Sequence, residues 1–215
     1  MALVDRKMSR SDWNDGFLFV GNHLTLDFLN TRPVQNGEFV ELLPDFSSLL
    51  RWLSAAALFS AADRTRFQRE WEKSIRAQRT LETIRELREG LRKEILAWED
   101  GHPIHHSTVE ELNGLMSSHP MVTQLKSSHG GYSTDIRFLP KVPEDLISPF
   151  AHSAATLFTL DRNYVRKCEH CVLHFHDTSK KGTRRWCSMN LCGNRNKVAA
   201  YADRQRLKLP SGRNG

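Results

Sequence analysis

Residues 168–195 read CEHCVLHFHDTSKKGTRRWCSMNLCGNR. All four cysteines of the 215-residue chain lie in this stretch, as Cys168, Cys171, Cys187 and Cys192, with the spacing C-x2-C-x15-C-x4-C. Thiolates are soft ligands, and four of them converging from a tight knuckle and a returning arm suit a tetrahedral zinc ion. With every position filled by cysteine, no place is left for a reactive water, so the site is expected to be structural and to hold one Zn²⁺ per chain. Three other readings stay open on spacing alone: a redox dithiol, an iron–sulfur cluster, and replacement of one cysteine by His174 or His176. The intervening residues read as a hairpin, VLHFHD and RRWC around the polar turn TSKKGT. A helix-like segment, NRNKVAAYADRQR, follows Cys192. The plan is that of a small treble-clef-like zinc-binding domain.

Charge separates this tail from the rest of the chain. Residues 162–215 hold 13 Lys and Arg against 3 Asp and Glu, while residues 1–161 hold 18 against 22. In the segment after Cys192, Val198, Tyr201, Ala202 and Gln205 share one helical stripe at 100° per residue, flanked by Arg195, Lys197, Arg204 and Lys208. Lys180, Lys181, Arg184 and Arg185 make the hairpin basic. Clustered cations of this density are the electrostatic footprint of a nucleic-acid surface, so these eight residues are the candidate DNA contacts. Arg185 and Arg195 are equally placed to hold the finger itself together.

The finger's residues closely resemble the CGNR zinc-finger family. The match rests on the CxxC pair, Phe175, Asp177, the run Arg185-Trp186-Cys187-Ser188-Met189, and Cys192-Gly193-Asn194-Arg195 with Lys197, and spans about residues 165–206. Upstream, GNHLTLDFLNT at 21–31 is similar to the opening of the ABATE domain that precedes this finger. The resemblance implies a bacterial, stress-induced transcription regulator whose finger binds DNA. It implies the four cysteines as metal ligands and no catalytic residue.

The body, residues 1–160, is expected to be an α+β domain, mainly helical with a small antiparallel sheet. In GNHLTLDFLN, Leu24, Leu26 and Phe28 alternate with Thr25 and Asp27, the period of a half-buried strand. FLFV before it and EFVELL after it are further strand candidates. Pro44 and Asp45 mark a helix start. Phe67, Trp71 and Ile75, then Leu81, Ile84, Leu91, Ile95 and Trp98, predict two helices over 63–99, because the stripe loses phase near 74–80. Ser107 and Thr108, each three residues before a glutamate, predict a capping box. MVTQLKSSHGGYSTDIRF reads as a hairpin with Tyr132, Thr134, Ile136 and Phe138 alternating. Pro143 opens a last helix, from 144 to about 161. A finger over 163–208 and a flexible tail over 209–215 complete the chain. The body is expected to remain folded without the finger.

No apolar run approaches the ~20 residues of a membrane helix, and the first residues lack the apolar core of a secretory signal. The expected location is the cytoplasm, where thiols stay reduced. The body carries no Walker A loop, GxGxxG, GxSxG or HExxH, and the chain is read as a regulator, not an enzyme. The body would sense a small-molecule effector or form a homodimer. Asp27, Asn30, Thr31 and Arg32 are the candidate ligand-binding residues, against the plainer reading that Asp27 and Asn30 satisfy backbone groups in the next turn. Two rival functions remain: a zinc-stabilised protein-interaction module that touches no DNA, and an enzyme in the body addressed to nucleic acid by the finger.

Overall fold

The computed structural model describes residues 12–35, 37–128 and 130–194. Two short hairpins, β1 (Trp13–Asn14) with β2 (Phe17–Leu18) and β3 (Val34–Gln35) with β4 (Glu38–Phe39), flank a first helix, α1 (Leu24–Leu29). Then come α2 (Phe46–Ala55), α3 (Ala61–Trp71), α4 (Ile75–Glu99) and α5 (His106–Ser118). The hairpin β5 (Val122–Ser128) and β6 (Gly131–Arg137) leads through a 3-10 turn at Pro143–Ile147 into α6 (Ser148–Leu157). A second 3-10 turn, Arg162–Tyr164, opens the finger: β7 (Val165–Lys167), β8 (His174–His176) and a π-helical turn, Met189–Gly193. The architecture is the expected α+β one, helical with small antiparallel sheets.

Side-chain caps set several boundaries. Asp45 accepts from the Ser48 amide at 2.7 Å and starts α2. Ser60 and Asp63 form a reciprocal capping box on α3. Ser74 accepts from the Ala77 amide at 3.1 Å and starts α4, which is why the apolar stripe loses phase there. Ile75 consequently leaves the stripe and is exposed. The capping box expected from Ser107 and Thr108 does not form. The helix starts one residue earlier, at His106, and Glu94 of α4 takes both the amide and the ring nitrogen of His105.

The largest correction concerns residues 24–29, expected as a strand and found as the helix α1. All six residues are buried. The polar ones alternate for a different reason from solvent exposure. Thr25 Oγ1 pairs with Ser153 Oγ of α6 at 2.7 Å, and Asp27 Oδ1 accepts from the Gly21 amide at 2.7 Å. A helix enclosed on every side shows no amphipathic period, so buried polar residues imitated a strand.

Around α1 the core closes on aromatic rings. Trp52 lies 5.9 Å from Phe28 and 5.5 Å from Phe150, and Phe28 lies 4.1 Å from Phe150. Below it, the buried Arg88 of α4 donates to Thr31 Oγ1 at 2.8 Å and to both carboxylate oxygens of Glu41. The β5–β6 hairpin lies outside this core: Leu125 and Tyr132 are exposed.

Candidate metal centre and its seam with the body

The chain delivers the four sulfurs from three local devices. Cys168 and Cys171 flank a knuckle that joins β7 to β8, closed where the Cys168 amide donates to the Leu173 carbonyl at 2.9 Å. The finger hairpin therefore pairs 165–167 with 174–176, and not 172–177 with 184–187 as the sequence suggested. The arm carrying Cys187 is tied to the knuckle by one backbone bond, the Glu169 amide to the Arg185 carbonyl at 3.1 Å, and to Asp177 by the Arg184 amide at 2.8 Å. Cys192 sits in the π-helical turn that Ser188 caps, accepting from the Asn190 and Leu191 amides at 3.0 and 3.3 Å. Ser188 also donates to Asp12, which anchors the turn to the body. Gly182 is required at its corner: its φ is +59°, and a side-chain carbon there would lie 2.5 Å from the Tyr164 ring.

The four sulfurs lie within 4.8 Å of one another and form no disulfide. Cys171 and Cys187 are 3.7 Å apart, and Cys187 and Cys192 3.6 Å. Four ligands at ~2.3 Å in a tetrahedron stand about 3.8 Å from one another, so the separations fit a zinc ion. Electrostatics favour a cation as well. The hydrogen bond from Cys187 draws the Cys171 thiol down to about 5, while the same bond pushes Cys187 up, and burial pushes Cys192 up to about 12. Alone, the cluster accepts one negative charge and resists the next; a divalent cation is what permits four thiolates. His174 and His176 belong to no such group among the described residues. His174 instead turns its ring to Glu99 of α4, 2.8 Å away.

The finger is seated on the body through the 21–30 segment. Antiparallel pairing with β7 uses the polar groups of Phe175, which leaves those of His174 and His176 facing the other way. Asn30 meets the first pair: its Nδ2 donates to the His174 carbonyl and its Oδ1 accepts from the His174 amide, both at 3.0 Å. The second pair is met by the Gly21 carbonyl, which accepts from the His176 amide at 2.7 Å, and by Asn22, whose Nδ2 donates to the His176 carbonyl at 2.9 Å. The segment thus completes the open edge of β8. Gly21 is needed because a side-chain carbon there would lie 2.8 Å from the Asp27 amide. Val20 and Leu18 also pack with Cys168, Phe175 and Cys187 in a small second core.

These contacts decide the roles of the candidate ligand-binding residues. Asp27 and Asn30 satisfy backbone groups, but those of Gly21 and His174 and not those of the next turn. Thr31 donates to the Phe28 carbonyl and accepts from Arg88; Arg32 pairs with Glu89 at 3.0 Å. Of the candidate DNA contacts, Arg184 is turned inward. It lies 4.5 Å over the Phe175 ring, and its Nε donates to the Trp186 carbonyl at 2.8 Å. Four thiolates around a divalent ion leave a double negative charge, and the half-buried Arg184 beside Cys187 offsets part of it. Arg185 is exposed and paired with Glu169. Lys180 and Lys181 are exposed and pair with no carboxylate among the described residues. Arg195, Lys197, Arg204 and Lys208, with the 198–205 stripe and the 209–215 tail, lie outside the described residues. Gly21, Asn22, Glu99 and Ser188 went unnoticed as site residues. Only the Cys-Ser pair, a helix-start signature, could have pointed to one of them.

Two family models match the chain. Residues 22–161 match ABATE, described as "Putative stress-induced transcription regulator", and residues 164–205 match the CGNR zinc finger. No curated protein matches it. No helix among the described residues is long and apolar enough to cross a membrane.

Proposed function

Since the chain belongs to the ABATE family and ends in a CGNR zinc finger, we propose that it regulates transcription by binding DNA through that finger. The observation that carries the reading is the four-cysteine cluster set in a strongly basic tail, with Lys180 and Lys181 free on its outer loop. One zinc ion per chain, held by Cys168, Cys171, Cys187 and Cys192, is structural in this reading: it supplies folding free energy to a module too small for a large core. Phosphate contacts fall to Lys180, Lys181, Lys197, Arg204 and Lys208, with Arg185 and Arg195, which neighbour ligand cysteines in the sequence. Arg184 serves the interior. The body, through the edge it completes on β8, fixes how the finger is presented. It is thereby able to pass the binding of an effector, or of a second copy, to the DNA surface.

The enzyme alternative called for a deep pocket lined by several ionisable groups. The cavity beside the finger is apolar apart from cysteines, while a smaller one of about 170 Å³ between α4 and α5 carries Glu86, Lys93, Glu94 and Glu111. The protein-interaction alternative is separated by experiment: a gel shift of metal-loaded protein on sheared genomic fragments. Retarded complexes competed by duplex support the regulator. Absence of any retarded complex at low salt gives the lead to the interaction module.

A further inference from the structure

We infer that Cys171 is a covalent modification site for small, neutral, soft electrophiles of the α,β-unsaturated carbonyl class, admitted by an apolar cavity between body and finger. The inference is independent of what the finger contacts. The cavity measures about 510 Å³, within the ~300–1,000 Å³ typical of small-molecule sites. Trp13, Leu18, Val34 and Leu42 of the body form one wall. Three of the four ligand cysteines, Cys171, Cys187 and Cys192, stand on the finger side; Cys168 does not reach it. Apart from these thiolates, no charged side chain lines it among the described residues.

Each feature selects a property of the reagent. The described apolar walls offer a charged molecule nothing for its lost hydration, and the negative charge of the thiolate centre repels an anion, so the entrant is neutral. A thiolate is a soft nucleophile, and an activated carbon–carbon double bond is its soft partner. Cys171 is the sulfur attacked first, because it is half-buried while Cys187 and Cys192 are buried. In the addition, a bond forms between Cys171 Sγ and the β-carbon. The π pair moves to the α-carbon, which takes a proton from water and leaves hydroxide. The product is a neutral thioether. A tetrahedral site reduced to three thiolates holds its metal less tightly, so alkylation releases the ion.

The test uses full-length, metal-loaded protein and two probes, N-ethylmaleimide and a maleimide carrying a sulfonate. Both rates are normalised to those on a free cysteine peptide. The account expects the neutral probe to react at least about tenfold faster, a difference of about 1.4 kcal/mol. The first adduct should map to Cys171, with metal appearing in a colorimetric chelator in step. Val34→Lys, which puts an ammonium in the wall to offset the sulfonate, should bring the two normalised rates toward parity without changing metal content. Equal normalised rates on the native protein would overturn the inference. So would a first adduct on another cysteine, or metal release that precedes alkylation.

Discussion

Replacing Asn30 by alanine probes the seam between body and finger at its most buried point. The Asn30 side chain makes two hydrogen bonds of 3.0 Å, to the amide and the carbonyl of His174, and only 2% of each residue is exposed. Alanine removes both partners and leaves two backbone groups buried. Each orphaned group costs about 1–3 kcal/mol, so the substitution should destabilise the protein by about 2–6 kcal/mol. Against a typical total of ~5–15 kcal/mol, that is a large share. Asn30→Asp should fail to rescue, because a carboxylate accepts from the His174 amide but cannot donate to its carbonyl. Urea unfolding of metal-loaded protein gives the free energy, and transfer of metal to a chelator gives the local effect. β8 continues directly from the knuckle, so metal should leave the variant faster. A loss under about 0.5 kcal/mol with an unchanged transfer rate would refute the reasoning, since it would mean that β8 does not need the edge supplied by the body.

Purified protein should carry one zinc per chain by elemental analysis, and each single Cys→Ser variant should lose it; metal-free protein isolated without chelators, or cysteines paired in disulfides, would contradict the site. Arg88→Leu should cost toward the lower end of about 3–5 kcal/mol in denaturant unfolding, because it strands the Glu41 carboxylate, whose side chain keeps 30% exposure to water. Burial, with His176 nearby, holds the His23 imidazole down to about 4 from 6.5, so the unfolded chain binds a proton between those values that the fold refuses. Stability should therefore be full above pH 6.5 and fall by up to about 3 kcal/mol as pH drops to 4. His23→Asn keeps a helix cap and should flatten that fall in unfolding series across pH.

Short-range signals wrote the finger and the helices, and those were legible. The cysteine spacing brought the right four sulfurs together, and Asp45 announces α2 through its capping chemistry. The α1 segment was misread because its polar residues face partners 6 and 128 positions away, not water. Periodicity reports a solvent face, and α1 has none. For the same reason Asn30 looked like a candidate ligand residue, when its partner is the β8 backbone 144 positions downstream. Arg184 read as one more surface cation, because a basic run does not reveal which member folds inward over Phe175. The finger's hairpin was placed one strand too late: β7 lies before the first cysteine, where no motif residue marks it.

The most direct test of DNA recognition by the finger is fluorescence anisotropy of metal-loaded protein on labelled duplex across a salt series. Each phosphate contact contributes about −0.9 to the slope of log K against log salt. Wild-type protein should show a steep negative slope, and chelation of the metal should abolish binding. Lys180→Ala with Lys181→Ala should flatten the slope by up to about two units, with folding and metal content unchanged, since both side chains are exposed and neither is a ligand. Binding indifferent to salt, to both substitutions and to metal removal would contradict the account.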